Sequence, residues 1–113
     1  STVLTIFPLS NDKVFYYHGQ FDQALTSSAY GFTSYHVANG IGQIIRDKQA
    51  VMERHKKDFS DELFLVIKPG AETSYRQVTE MLDEVLINEL KHYAISDISE
   101  PEKELILKLN GTF

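Results

Sequence analysis

At 113 residues, with a net charge of −5 and no cysteine, the chain has the length of one domain and can bury a core without the help of a metal or disulfide. The missing thiols exclude disulfides and thiolate-bound zinc, and the scattered Lys and Arg of an acidic chain argue against nucleic acid as a partner. The longest apolar run, Leu63–Ile67, is far short of the ~18 residues a membrane span needs.

Residues 2 to 9 and 13 to 18 are rich in β-branched and aromatic side chains. The Ser10-Asn11-Asp12 link between them is turn chemistry, so together they predict a β-hairpin. Residues 20 to 38 are weakly periodic and predict a long loop with at most one helical turn; loops of this length are often functional. Asn39 can cap a helix that runs to about Lys57, with Ile41, Ile44, Ile45, Val51 and Met52 on its apolar face and Lys48 interrupting. The short basic cluster Arg54-His55-Lys56-Lys57 ends that helix, where it complements the macrodipole. Asp58 to Asp61 is a polar connector.

Leu63–Ile67 has the continuous apolar character of a strand covered on its faces, and Lys68-Pro69-Gly70 stops it. Ser74 and Gln77 form a capping-box pair before a helix whose stripe is Val78, Met81, Leu82, Val85, Leu86 and Leu90. Residues 92 to 98 alternate as a further strand, expected to lie parallel to Leu63–Ile67 through a right-handed crossover. The tail carries two signals. Ser99 and Glu102, with Pro101 in the first turn, predict a helix from about Glu100, while the alternation of Leu105, Leu107 and Leu109 predicts a strand.

Few of these residues carry the pattern of chemistry. Gly40-Ile41-Gly42 has Ile45 where a dinucleotide fingerprint needs its third glycine, and no strand directly precedes it; a helix start that packs closely on the sheet explains it better. None of His18, His36, His55 and His92 has a histidine four residues away with which to share a metal on one helix face. The serines lack the sharp elbow of a nucleophile. The carboxylates fall on expected solvent faces; Asp83 and Glu84 are neighbours on a helix and point in different directions. The residues therefore predict no enzyme, no cofactor and no metal site. Phe15, Tyr16, Tyr17, Phe21, Tyr30, Phe32 and Tyr35 crowd one region. Some belong in a core, and the rest suit a partner surface. Val14, Phe15, Tyr16, Tyr17 and His18, on what reads as an edge hairpin, are the candidate residues for strand addition by a partner.

The stretch from Phe64, FLVIKPGAETSYRQVTEMLDEV, resembles the periplasmic segment of the ExbD/TolR family of biopolymer transport proteins. There, a hydrophobic strand is followed by a short turn, a tyrosine and a helix with a Val/Met/Asp pattern; Tyr75, Val78, Met81 and Asp83 fall in that register. YAISDIS is similar to the following strand, especially in Bacteroidetes-type members, and GIGQIIRDKQAVMERH fits the family's first periplasmic helix. The resemblance covers most of residues 39 to 99. It departs in the turn, where the family often has an acid and this chain has Pro69-Gly70 with Glu72 nearest, and in the longer segment 20 to 38.

The resemblance implies a homodimer seated in an ExbB-like membrane protein of the bacterial inner membrane. It places this domain on the periplasmic side, reaching toward a TonB-like protein. The membrane is met only through an N-terminal helix that carries the proton-responsive aspartate. The chain, which begins at Ser1, is then expected to be a piece that lacks this helix. The TolR branch, in which the domain contacts peptidoglycan, and a small-ligand regulatory domain are the alternatives. The expected fold is α/β (α+β): a single two-layer domain, with a mixed sheet and two main helices on one face.

Overall fold

The computed structural model describes residues 2–10, 12–35, 40–54, 62–70 and 73–112. Along them run β1 (Val3–Pro8), β2 (Lys13–His18), α1 (Phe21–Ser27), β3 (Tyr30–Ser34), α2 (Ile41–Arg54), β4 (Phe64–Ile67), α3 (Tyr75–Ile87), β5 (His92–Ile95) and α4 (Glu100–Asn110). The strands form one mixed sheet in the order β3-β2-β1-β4-β5. β1 pairs antiparallel with β2 and parallel with β4, β4 pairs parallel with β5, and β2 pairs antiparallel with β3. The fold is α+β, as expected.

Strand periodicity divides the core in two. Leu4, Ile6, Val14, Leu65 and Ile67 project to one face, where Ile41 and Ile45 of α2 and Met81 and Val85 of α3 cover them. These are the two main helices expected on one face; the expected two layers become three, because α1 and α4 cover the other face as well. Phe7, Leu9, Phe15 and Tyr17 project to the other face, against Ala24 of α1 and Ile106 of α4. Each such buried side chain contributes about 1.5–3 kcal/mol of transfer free energy. Val51, expected on the apolar face of α2, is exposed, because only Ile41, Gly42 and Ile45 of that helix are fully enclosed.

The expected loop of residues 20 to 38 instead holds α1 and β3. α1 closes at Ser28, whose left-handed backbone sends its N–H to the Ala24 carbonyl. The chain then returns along β2, with Tyr17 opposite Tyr30 and Phe15 opposite Phe32. Cross-strand aromatic pairing of this kind supplies what local periodicity did not show. Asn39, Lys57 and the connector Asp58 to Asp61 lie outside the described residues, as do His36 and His55.

Both capping boxes form. The Ser74 hydroxyl accepts from the Gln77 amide, and the Gln77 side-chain oxygen accepts from the Ser74 N–H at 2.8 Å. The Gln77 side-chain amide also donates to the Leu9 carbonyl, so the cap residue ties α3 to the end of β1. Thr73 adds a second tie, donating to the Pro8 carbonyl at 2.7 Å. At α4 the helical signal wins over the alternation. Ser99 and Glu102 cap it reciprocally, Pro101 sits in its first turn and Gly111 ends it at φ 79°. Ile106 is buried, whereas Leu107 and Leu109 are exposed.

Candidate interaction edges

β2 is an interior strand, bonded to β1 on one side and to β3 on the other. This corrects the expectation that Val14, Phe15, Tyr16, Tyr17 and His18 form an edge hairpin. A strand paired on both sides has no free ladder to offer, so strand addition cannot take place there. The side chains serve the domain itself. Val14 and Phe15 are fully buried. Tyr16 packs over Gly31, where an added Cβ would meet its hydroxyl at 3.0 Å. The Lys48 ammonium donates to His18 Nδ1 at 3.0 Å, which requires an unprotonated acceptor. Burial, and then the nearby Lys48 charge, lower the His18 pKa; burial likewise lowers that of Lys48.

Tyr17 belongs to a buried polar network that the sequence reading did not find. Its hydroxyl donates to Glu102 Oε2 at 2.5 Å, and the Lys68 ammonium reaches both Glu102 oxygens, at 2.9 and 3.0 Å. The Glu102 side chain also accepts from the Ser99 N–H at 2.9 Å. Glu102 is only 2% exposed, which corrects its expected place on a solvent face. Burial alone would raise its pKa, but the hydrogen bonds from Tyr17, Ser99 and Lys68 and the Lys68 charge outweigh it and hold the carboxyl below the usual range. Burial first, and then the bond to Glu102, push the Tyr17 hydroxyl well up. A capping acid with its side chain on the inward flank of a helix was the one available sign.

Two sheet edges remain, β3 and β5. The His18 N–H donates to the Ala29 carbonyl at 2.9 Å. Backbone bonding alternates along an antiparallel ladder, so Gly31 and Thr33 bond inward, while Tyr30 and Phe32 aim N–H and C=O outward. Phe32 is exposed on this edge, 5.0 Å from the Phe15 ring and beneath the Lys13 ammonium. On β5, the Ser96 N–H donates to the Ile67 carbonyl at 3.0 Å. Ala94 and Ser96 therefore bond to β4, and Tyr93 and Ile95 direct theirs away from the sheet. Tyr93 and Ile95 are 48% and 52% exposed. At the head of β5 the His92 ring stacks on Phe64 and lies 3.0 Å from a Glu62 oxygen.

Two clefts lie on the α2/α3 face. One, of about 210 Å³, is lined by residues including Met52, Leu63 and Leu90. The other, of about 410 Å³, opens between Tyr35 and the Arg76, Glu80, Asp83 and Glu84 flank of α3. Its polar groups bond along the helix rather than toward a common point: Arg76 pairs with Glu80, and Glu84 accepts from Asn88. The Tyr35 hydroxyl is buried without a partner. Gly42 lets α2 approach α3 closely, since a Cβ there would meet Glu84 Oε2 at 2.5 Å; this accounts for the second glycine of Gly40-Ile41-Gly42. Among the described residues no group of three or more His, Asp or Glu could hold a metal ion, and no helix is long and apolar enough to cross a membrane.

No protein-family model, no curated protein and no solved structure matches the chain.

Proposed function

We propose that the chain is the periplasmic domain of an ExbD-like component of a proton-motive-force-driven transducer for TonB-dependent outer-membrane transport. It acts there as a docking domain and performs no chemistry of its own. The observation that supports this reading most is the β4–α3–β5 unit. The stretch whose pattern resembles the family folds as strand, capped helix and parallel strand. Within the family register Met81 faces the core, while Tyr75 and Asp83 remain exposed. A membrane helix preceding the domain would anchor it to the inner membrane beside an ExbB-like protein, and a homodimer would reach a TonB-like partner.

The partner segment adds to the outer side of β3, where Tyr30 and Phe32 present backbone groups and Phe32 presents an apolar ring. β3 thus takes the role first given to β2, one strand further out. The test is capture of the periplasmic part of a TonB-like protein by this domain, with and without Phe32→Pro. That substitution removes an outward N–H and leaves the bonds to β2 in place. Capture by the parent and its loss in a folded Phe32→Pro variant are expected. Equal capture by both removes β3 from the reading, and no capture by the parent counts against the reading itself.

A further inference from the structure

We propose that the outer side of β5 pairs antiparallel with β5 of a second copy of this chain, about a two-fold axis through Ala94. The inference rests on the homodimer part of the reading above, and adds which edge is used and in what register.

The sequence around β5 is complementary to itself. Antiparallel pairing centred on Ala94 places Lys91 opposite Asp97 of the second copy, and Tyr93 opposite Ile95. Each relation occurs twice, as a two-fold interface requires. Tyr93 and Ile95 are also the residues whose backbone groups point outward, so they supply the ladder bonds as well as an aromatic–β-branched pair. Both side chains lie on the α2/α3 face, because they flank Leu65 and Ile67 in register. Lys91 and Asp97 are exposed at the two ends of the strand.

α3 extends this surface. The flank of α3 that faces α2 is marked by Glu84, against Gly42, and by Asn88, which receives Arg46 and Gln49. Successive residues of a helix turn by about 100°, so Leu82 and Leu86 lie on the opposite flank, toward β5. Leu86 is 75% exposed. An open strand edge with two exposed apolar side chains beside an exposed leucine is a pairing liability unless something covers it. A second copy covers it with the same residues and brings opposite charges together at both ends. Any other strand would have to present an acid and a base at the same spacing.

The absence of cysteine provides a direct test. Ala94 would oppose Ala94 of the second copy as a non-hydrogen-bonded pair, with Cα atoms about 4.5 Å apart, within disulfide range. Ala94→Cys should accumulate as a covalent dimer under mild oxidation, while Thr112→Cys, an exposed control away from the edge, should not. Lys91→Asp or Asp97→Lys alone puts two like-charge pairs into the interface and should weaken association about tenfold; the double variant should restore it. These substitutions are exposed and spare the core, and they leave β3 untouched, so loss of pairing here and loss of partner capture there are read separately. Cross-linking of Ala94→Cys no faster than of Thr112→Cys, or a double charge swap no better than either single one, overturns the proposal.

Discussion

The Tyr17 hydroxyl and the Glu102 carboxylate meet at 2.5 Å across 85 residues of chain. The bond joins the interior strand β2 to the first turn of α4. Because the Glu102 side chain also closes the capping box of α4 and receives Lys68, one carboxylate holds three parts of the chain together. Leaving its partners without a charge mate is costly in a site this enclosed.

Glu102→Gln should therefore lower the unfolding free energy by about 3 kcal/mol. Tyr17→Phe should cost less, about 1–2 kcal/mol, since the carboxylate keeps Lys68 and the Ser99 amide. Urea unfolding with an unchanged m-value checks both. A loss confined to a few tenths for Glu102→Gln would show that solvent reaches the network freely.

Two groups set the response to acid. The carboxyl of Glu102 titrates below its ordinary value, so its contribution is complete above about pH 4.5 and is lost as the pH falls through the folded pKa. His18 is a base whose folded pKa is lowered. Below about pH 6.5 the unfolded chain takes up this proton more readily than the folded one, so stability declines as the pH drops, and levels off below the folded pKa. Tm measured against pH should show both limbs. His18→Gln should flatten the upper limb and Glu102→Gln the lower.

The caps are separable from the core. Ser74→Ala and Ser99→Ala each remove a side-chain acceptor from a helix start and should cost about 1 kcal/mol, or about 4 °C in Tm for a domain of this size. A larger effect at Ser74 would mean that Gln77 has also lost its hold on Leu9.

Burial predicts a contrast between two aliphatic truncations. Ile67→Ala, at a fully buried position of β4, should cost about 2–5 kcal/mol. Leu86→Ala, on exposed α3 surface, should change the stability of the isolated protomer by less than about 0.5 kcal/mol. Unfolding at low protein concentration compares them.

Strand position predicts a second contrast. Tyr16 stands opposite Gly31 in a bonded pair between β2 and β3, so Tyr16→Pro removes an interior ladder bond and should cost about 3 kcal/mol or more. Phe32→Pro, facing outward, should cost much less. Circular dichroism and thermal melts decide it, and equal losses would contradict the alternation of bonding on β3.

What could be read from the sequence was local. The Ser74/Gln77 and Ser99/Glu102 boxes fix helix starts through bonds three residues long, and both helices begin there. The parallel β4–α3–β5 unit was legible because hydrophobic period changes sharply at Pro69-Gly70 and again after Leu90. The edge status of Val14 to His18 was not, because strand order depends on where β3 returns, and β3 was hidden in a segment where Gly31, Thr33 and Ser34 blur alternation. The network at Glu102 was illegible for a similar reason. Its partners Tyr17 and Lys68 are distant in sequence, and only the packing of α4 over β2 brings them to it.

The central position of β1 has a consequence for how the chain is made. Of the strands in this sheet it comes first in the chain, and β2 and β3 follow within a short stretch, so this three-stranded meander can close early. Its other flank waits for β4, which pairs Leu4 with Leu65. Until that stretch arrives, one ladder of the innermost strand stands open between Leu4 and Ile6. The nascent domain is thus most exposed to misassociation at the strand that ends up best protected.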